Sequence, residues 1–324
     1  MRIRGALVGF FLLTAAYVAA LVWVDARRQV FDGLNSLSGV LPWLLAVSLG
    51  SYLARYLRWW WLLRRAGHAV PIVAGFFAYL AGFAFTATPG KVGELIRVRY
   101  FHDHGVPAWR VVAVFVFERA MDLLVVLGLA MLAIRDPRVL AASTAFVLLC
   151  LTLVVVLGWR PGWLTRGADL LRRGAWPTPA RWIEVLRDGL AGGRLWVRPL
   201  DLGVSLSLGL LAWGTVALGF RHLIGALGVN SVPTAEALSI YPLSMLAGAA
   251  SMLPGGIGST EATITALLSL SHVDLSVGVL AAVGIRLSTL WFAILCGLVS
   301  VVGLECRAAR GADHSLCADP ERPA

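Results

Sequence analysis

Charged residues are scarce in this sequence, and their scarcity decides the class of protein. They make up 14% of the 324 residues, whereas 59% are hydrophobic and the mean hydropathy is +0.79. A soluble globular chain carries about 25% charged residues. This number of charged residues is too small to cover a water-exposed surface of this size. We therefore expect the excess apolar residues to face lipid. The composition excludes a disordered chain and predicts an all-α, polytopic integral membrane protein.

Cysteine and lysine are also nearly absent. The four cysteines show no spacing typical of a disulfide framework, a metal site or a redox motif. Lys91 is the single lysine, so the net charge of +10 comes almost wholly from arginine. In a membrane protein such an excess encodes orientation and attraction to anionic headgroups. We therefore expect membrane lipids as partners, with no nucleic acid, cofactor or metal.

Six apolar segments are long enough to cross a bilayer, which takes about 20 helical residues. We predict full spans near residues 5–24, 40–63, 108–134, 139–159, 202–220 and 275–304. The first span follows Arg2 and Arg4 and is too long for the core of a signal peptide, so we expect it to be retained.

Arginines predict the orientation of these spans. The loop 159–198 contains eight of them and includes an amphipathic stretch, Arg181–Leu190, that is typical of a surface helix. The excess of positive charge places this loop in the cytoplasm. Both termini then face the cytoplasm, including a tail over 305–324, and the protein lies in the cytoplasmic (inner) membrane of a prokaryote.

Two apolar segments, 70–101 and 233–271, are interrupted by Pro-Gly. Proline removes a backbone donor, and lipid cannot satisfy the groups that a break releases. Broken helices are therefore tolerated only inside protein or along a wet cavity. We predict two re-entrant hairpins, with half-helix N-termini near Lys91 and Ile257 that could attract an anion.

The two halves share an ordered series of residues. The first half contains Arg58, Gly67, Pro71, Tyr79, Leu80-Ala81-Gly82, Pro89-Gly90, Gly93 and Glu94. The second half contains Arg221, Gly228, Pro233, Tyr241, Leu246-Ala247-Gly248, Pro254-Gly255, Gly258 and Glu261. Counting the predicted crossings between them makes the repeats inverted, with repeat one at about 40–134 and repeat two at about 200–304. Inverted repeats with broken helices are typical of secondary transporters.

Charged residues inside the apolar segments are the candidate site. Arg119 and Arg286 each follow a glutamate by 25 residues, Glu94 and Glu261 respectively. A charge at the bilayer centre is costly, so it normally faces the interior and finds a partner. The arginines either pair with these glutamates to clamp each hairpin or bind a lipid phosphate, which suits a guanidinium. We predict substrate binding by these four residues.

The residues beside the two breaks extend this candidate site. Lys91, Arg97 and Arg99 are either a headgroup-binding patch or interfacial residues with their heads in water. Glu94 and Arg97 are three residues apart, which also makes them a local pair by spacing. Glu118 and Asp122 lie one turn apart and are either proton carriers or counter-charges for Arg55, Arg58 and Arg97. The glycines that would allow close approach to a headgroup are Gly90, Gly93, Gly255, Gly256 and Gly258.

Two other groups of residues have simpler interpretations. Trp59-Trp60-Trp61 is typical of an aromatic anchor at the membrane interface. His102-Asp103-His104 lies in a predicted loop, where adjacent side chains point apart, and we expect no metal there.

The motifs around the breaks resemble a known family. They are Pro89-Gly90-Lys91-Val92-Gly93-Glu94-Leu95-Ile96-Arg97, Glu118-Arg119-Ala120-Met121-Asp122, and Pro254-Gly255-Gly256-Ile257-Gly258 with Glu261. In this order they resemble the lysylphosphatidylglycerol synthase transmembrane family, also described as flippase-like, over about residues 5–304. The resemblance implies a multi-helix domain that handles lipids with polar heads. Some relatives carry a cytosolic aminoacyl-transfer domain. Only a short tail follows Glu305 here, so lipid lysylation and tRNA binding are not expected.

The sequence therefore predicts a non-enzymatic protein that moves a polar or phosphate-bearing lipid between leaflets. One alternative is an accessory protein that scaffolds a lipid- or glycan-synthesis complex and binds an enzyme of that pathway. A second is an integral-membrane enzyme that uses Glu118 and Asp122 as acid and base.

Overall fold

The structure, a computed structural model, describes residues 34–132, 136–173 and 177–317. Helices dominate these residues and strands are absent from them, which confirms the all-α class. The first predicted span, 5–24, lies outside the described residues.

Twelve α-helices follow one another in this part of the chain. They are α1 Leu34–Arg65, α2 Ile72–Ala81, α3 Arg97–His102, α4 Ala108–Ala130, α5 Pro137–Trp159, α6 Pro161–Arg173, α7 Pro177–Gly192, α8 Pro199–Ala226, α9 Thr234–Ala250, α10 Ser259–Leu270, α11 Leu275–Arg286 and α12 Phe292–Cys317. Short 3₁₀ segments occupy Gly82–Phe85, Pro89–Ile96, Gly193–Trp196 and Pro254–Gly256. A π-helical turn, Leu287–Trp291, joins α11 to α12 without a break.

Four stretches of helix are long and apolar enough to cross a membrane. They are Leu37–Arg65, Pro137–Leu157, Pro199–Ala226 and Leu275–Ala308. Four of the six predicted spans are thus supported within the described residues. Helix α4 has 23 residues, about 35 Å at 1.5 Å per residue, but it carries four charged side chains. Its crossing of the membrane, like that of segment 5–24, stays a prediction.

Helices α1 and α8 pack along each other and join the two halves of the chain. Ser51 Oγ donates a hydrogen bond of 2.8 Å to the carbonyl of Ala212. At the last turn of α1, Arg65 Nε and Trp61 Nε1 each donate to Asp201 Oδ1 at 3.0 Å. Asp201 is buried, so this contact fixes the start of α8 against the end of α1.

An aromatic core surrounds the first broken segment and changes the interpretation of the tryptophan triplet. Trp59 is 1% exposed and packs against Tyr79 and Phe101, with ring centroids 5.4 and 5.8 Å away. Trp60 Nε1 donates to the carbonyl of Val70. The prediction of an interfacial anchor is therefore wrong for Trp59, because hydropathy cannot distinguish an indole that faces lipid from one that faces protein.

The connection between the halves and the C-terminal region also differ from expectation. The arginine-rich loop contains two packed helices, α6 and α7, where one surface helix is predicted. Helix α7 extends beyond the predicted stretch and packs on α4 as well as on α6. Helix α12 continues to Cys317, so the predicted tail boundary at 305 does not coincide with a helix end.

Candidate functional site

Both broken segments form at the Pro-Gly sequences and lie in contact with each other. In the first, α2 continues into the 3₁₀ turn Gly82–Phe85, and Pro89–Ile96 forms a second 3₁₀ segment before α3. In the second, Pro254–Gly256 separates α9 from α10. The two breaks touch: a Cβ built on Gly255 would lie 3.4 Å from Ala87 Cα. The candidate site therefore lies where the two halves meet.

The predicted half-helix N-terminus at Lys91 is wrong, whereas the one near Ile257 is present two residues later. Lys91 has a φ of +57° and belongs to the 3₁₀ segment, so no α-helix begins there. Gly93 N–H donates to Thr88 Oγ1 at 2.7 Å. In the second half α10 begins at Ser259, and Gly258 N–H donates to Glu261 Oε2 at 2.8 Å. In both breaks, a side chain of the same segment already accepts a hydrogen bond from the backbone N–H group. The arginine side chains are therefore better candidates for binding an anion.

Two of the predicted glycines are required by local geometry. A Cβ on Gly93 would lie 2.6 Å from the Phe85 carbonyl oxygen, so the first break closes tightly on its own chain. Gly258 has a φ of +87°, which residues with a side chain rarely adopt. Gly90, Gly255 and Gly256 also lie within the two breaks, and Gly255 and Gly256 have positive φ values as well. Gly93 is thus fixed by intramolecular packing and Gly258 by its backbone conformation.

The first half contains a buried group of seven charged side chains, which we call the ionic cluster. Its members are Arg55, Arg58, Glu94, Arg97, Glu118, Arg119 and Asp122. They come from α1, the first break, α3 and α4.

Arg58 lies at the centre of the ionic cluster and is fully buried. Its Nη2 lies 2.7 Å from Asp122 Oδ1 and 3.1 Å from Glu118 Oε1. Arg55, one turn earlier on α1, lies 3.5 Å from Asp122 and stacks over the ring of Trp213 in α8. These contacts support the counter-charge interpretation of Glu118 and Asp122.

Arg97 connects the first break to the ionic cluster. Its Nη1 lies 3.1 Å from Glu94 Oε2 and 3.9 Å from Glu118 Oε2. Its Nε donates to the Tyr79 carbonyl at 2.8 Å, and its guanidinium stacks 3.9 Å from the Tyr79 ring centroid. Thr86 Oγ1 donates to the other oxygen of Glu94 at 2.7 Å. Arg97 is fully buried and fixes the break against α2.

Arg119 does not form the expected ion pair with Glu94. Its Nη2 lies 3.1 Å from Glu118 and 3.2 Å from Asp122, both on its own helix. Arg97 takes Glu94 because it follows that glutamate by three residues. The Arg119 side chain is 22% exposed, and its Nε has no hydrogen-bond partner among the described residues.

The ionic cluster carries a surplus of positive charge. Its four arginines face three carboxylates, which leaves one formal positive charge. The half-buried Lys91 side chain lies within electrostatic range of Arg119 and Glu94, and its ammonium group forms no hydrogen bond or ion pair with the described residues. The surplus cations, Arg119 and Lys91, thus lie at the more open edge of the cluster.

The second half carries a smaller arrangement. Arg286 Nε donates to Glu261 Oε1 at 2.9 Å, and its Nη2 donates to the Gly255 carbonyl at 2.6 Å. Arg286 is 2% exposed. The pairing expected from the 25-residue spacing is present here, and it fixes α11 to the second break.

Tyr79 and Thr86 are site residues that the sequence analysis missed. Tyr79 Oη donates to Glu118 Oε1 at 2.9 Å and thereby ties α2 to α4. Tyr79 is visible in the repeat, but spacing does not say that its hydroxyl reaches a carboxylate. Among the described residues no group of three His, Cys, Asp or Glu side chains could hold a metal ion.

Comparison with known proteins places this arrangement in a family. A family model described as the lysylphosphatidylglycerol synthase TM region matches residues 6–297. The chain belongs to this family. The lysylphosphatidylglycerol synthase TM region is a membrane region related to lipid handling, so the protein is an integral membrane protein.

One relative supports this assignment over nearly the whole length. The chain is 25% identical over 311 residues to a UPF0104 membrane protein of Methanothermobacter thermautotrophicus, covering 90% of this chain and 91% of the relative. No solved structure matches the chain.

Proposed function

We propose that the protein moves a phosphate-bearing lipid headgroup between the leaflets of the membrane. The observation that supports this most directly is the surplus of positive charge in the ionic cluster, beside the contact between the two breaks. A positive charge within the membrane, even a partly exposed one, is costly unless an anion accompanies it. A lipid phosphate would supply that anion.

Arg119 and Lys91 are the residues we assign to the headgroup. A guanidinium can bind two phosphate oxygens at once, and an ammonium adds a compact point charge. Glu118 and Asp122 retain Arg58 when Arg119 turns toward a phosphate, because Arg58 contacts both of them. The cluster therefore tolerates the release of Arg119 without leaving a bare carboxylate, while the acyl chains stay in the bilayer.

Arg58, Arg97 and the pair of Glu261 with Arg286 have a holding role in this proposal. Arg58 contacts Glu118 and Asp122, whereas Arg97 and Arg286 contact groups of the first and second break. All three arginines are buried. Opening the Glu261–Arg286 pair would free the Gly255 carbonyl and the second break. We propose that headgroup passage requires this opening, and that the two repeats are inverted so that each break enters from its own side of the membrane.

A non-transporting accessory protein is the second candidate, favoured by the broad basic surface of residues 159–198. It would bind a lipid- or glycan-synthesis enzyme and would not depend on Arg119. We propose a protein without enzymatic activity of its own, in the cytoplasmic membrane of a prokaryote with both termini in the cytoplasm.

Purified protein in liposomes tests the translocation. The probes are fluorescent phosphatidylglycerol and a fluorescent glucosylceramide that lacks phosphate, with dithionite quenching to report the outer leaflet, with and without an imposed proton gradient. The double variant R119Q/K91Q removes the surplus cations. A charge-assisted hydrogen bond contributes about 1.5–3 kcal/mol, so we expect its phosphatidylglycerol flux to fall about tenfold or more.

The matched control is R99Q, because Arg99 forms an exposed ion pair with Glu305 outside the cluster. Its flux should equal that of the wild type. Equal flux of R119Q/K91Q at equal protein level would remove these residues from the site. Absence of flux for both probes in the wild type, together with stable co-purification of a synthesis enzyme, would favour the accessory protein.

A further inference from the structure

One side of α6 is largely exposed to solvent. At 3.6 residues per turn, Trp163, Arg166, Leu170 and Arg173 fall on this side. Trp163 is 58% exposed and Leu170 is 67% exposed, and both arginines are exposed. On the opposite side, Ala168 is buried where α6 packs on α7. The outer face of α6, defined by these four residues, thus combines large apolar groups with guanidinium groups.

Within the described residues, the two arginines of this face form no ion pair, unlike Arg172 and Arg187. Arg172 pairs with Glu184 across the two helices, and Arg187 pairs with Asp188. Arg166 and Arg173 form no ion pair with a described carboxylate, although Asp169 lies at the edge of the same face. The segment 159–198 as a whole carries eight arginines against three carboxylates. Its charge complements an anionic surface.

The position of α6 in the chain indicates which surface this is. Helix α5 contains a candidate membrane span and ends at Trp159, and α6 begins at Pro161. A single residue, Arg160, separates them, so α6 begins at the boundary between membrane and water. Helix α6 packs on α7, and α7 packs closely on α4 of the bundle. A Cβ on Gly189 of α7 would lie 2.8 Å from Val112 Cγ1 of α4. Helix α7 therefore fixes the position of α6.

We infer that the outer face of α6 binds the anionic phospholipid headgroups of the adjoining leaflet. Trp163 and Leu170 enter the boundary between headgroups and acyl chains, while Arg166 and Arg173 contact phosphates. The partner is a lipid surface and not a transported molecule. The inference therefore stands or falls independently of the proposed translocation.

Hydrogen exchange of the full chain in nanodiscs tests this inference. Exchange of the peptide covering 161–173 is compared in phosphatidylcholine alone and in phosphatidylcholine mixed with phosphatidylglycerol. One basic residue near an anionic surface contributes about 1 kcal/mol, which is about a fivefold change in an equilibrium constant. We expect the anionic lipid to slow exchange several-fold in the wild type, and R166Q/R173Q to abolish that difference.

The matched control, R138Q/R307Q, removes two exposed arginines elsewhere on the protein and should retain the lipid difference. W163S/L170S should speed exchange equally in both lipids, because apolar insertion does not depend on headgroup charge. High salt should erase the difference in unmodified protein, which tests the charge without any substitution. Equal exchange of the wild type in both lipids, or a difference that survives R166Q/R173Q, would overturn the inference.

Discussion

Arg58 is the residue on which the ionic cluster depends most, and its neutralisation gives the sharpest test of the structure. The guanidinium is fully buried and contacts Glu118 at 3.1 Å and Asp122 at 2.7 Å. In R58Q both carboxylates remain buried with fewer cations. Removing one partner of a buried ion pair typically costs about 3–5 kcal/mol.

The expected magnitude lies at the lower end of that range. Arg119 still contacts both carboxylates, and Arg55 still contacts Asp122. We therefore expect R58Q to lose about 3 kcal/mol of unfolding free energy, which lowers Tm by about 4 °C for a chain of 324 residues. R58K should fall between R58Q and the wild type, because an ammonium keeps the charge but lacks the planar fork of arginine.

Thermal unfolding of the purified protein in detergent, followed by fluorescence-detected size exclusion, measures these shifts. R64Q is the matched control on the same helix, because Arg64 is exposed and stacks on Trp60 at 4.8 Å. Loss of an exposed cation–π contact costs about 0.5–1 kcal/mol, so its Tm should change by only about 1 °C. If R58Q unfolded at the same temperature as R64Q, the arginine would not hold the carboxylates as the structure describes.

Two further predictions concern the contacts that hold the broken segments. G297A should lower Tm and yield, because its Cβ would lie 2.1 Å from the Ala84 backbone nitrogen. Such overpacking costs about 1–3 kcal/mol of unfolding free energy. G303A, on the same helix, places its Cβ in open space and should resemble the wild type. E261Q should speed hydrogen exchange over residues 252–261, since the neutral amide weakens the contacts to Arg286 and to Gly258 N–H. E305Q, which alters an exposed ion pair, should leave that exchange unchanged, and unchanged exchange in E261Q itself would show that this carboxylate does not hold the break.

The fold is readable from the sequence where lipid imposes the constraint. A long run without charge, such as 139–159, predicts a helix because lipid offers its backbone groups no partners. The observed helix, α5, covers Pro137–Trp159. Helix α6 is not predicted, because Pro161, Gly162 and Gly167 are typical of a loop, yet Ala168 is buried against the neighbouring helix. Tertiary packing there outweighs local propensity.

The site was readable only in part. The spacing of 25 residues predicts the pair of Glu261 and Arg286, which is present. The same spacing predicts a pair of Glu94 and Arg119, but in the structure Glu94 pairs with Arg97. The three-residue spacing of Glu94 and Arg97 also predicts the pair that is present. Which of the two competing arginines pairs with Glu94 depends on distances that only the packed structure defines.

That competition also explains why the two halves differ. The position three residues after the second glutamate is Ile264, buried in the apolar core, so nothing there competes with Arg286 for Glu261. In the first half Arg97 occupies this place, and Arg119 is displaced toward Glu118 and Asp122.

The difference assigns distinct tasks to the two halves. Beside Arg286 the chain has Ile285 where α4 has Glu118, so the second half has one carboxylate for one arginine. Its pair is neutral and closed on the Gly255 carbonyl, which suits a contact that holds a backbone segment. The first half keeps more cations than carboxylates and leaves one of them partly exposed. In the proposed function, the first half therefore recognises a ligand by its negative charge, and the second half controls whether the break beside it can move.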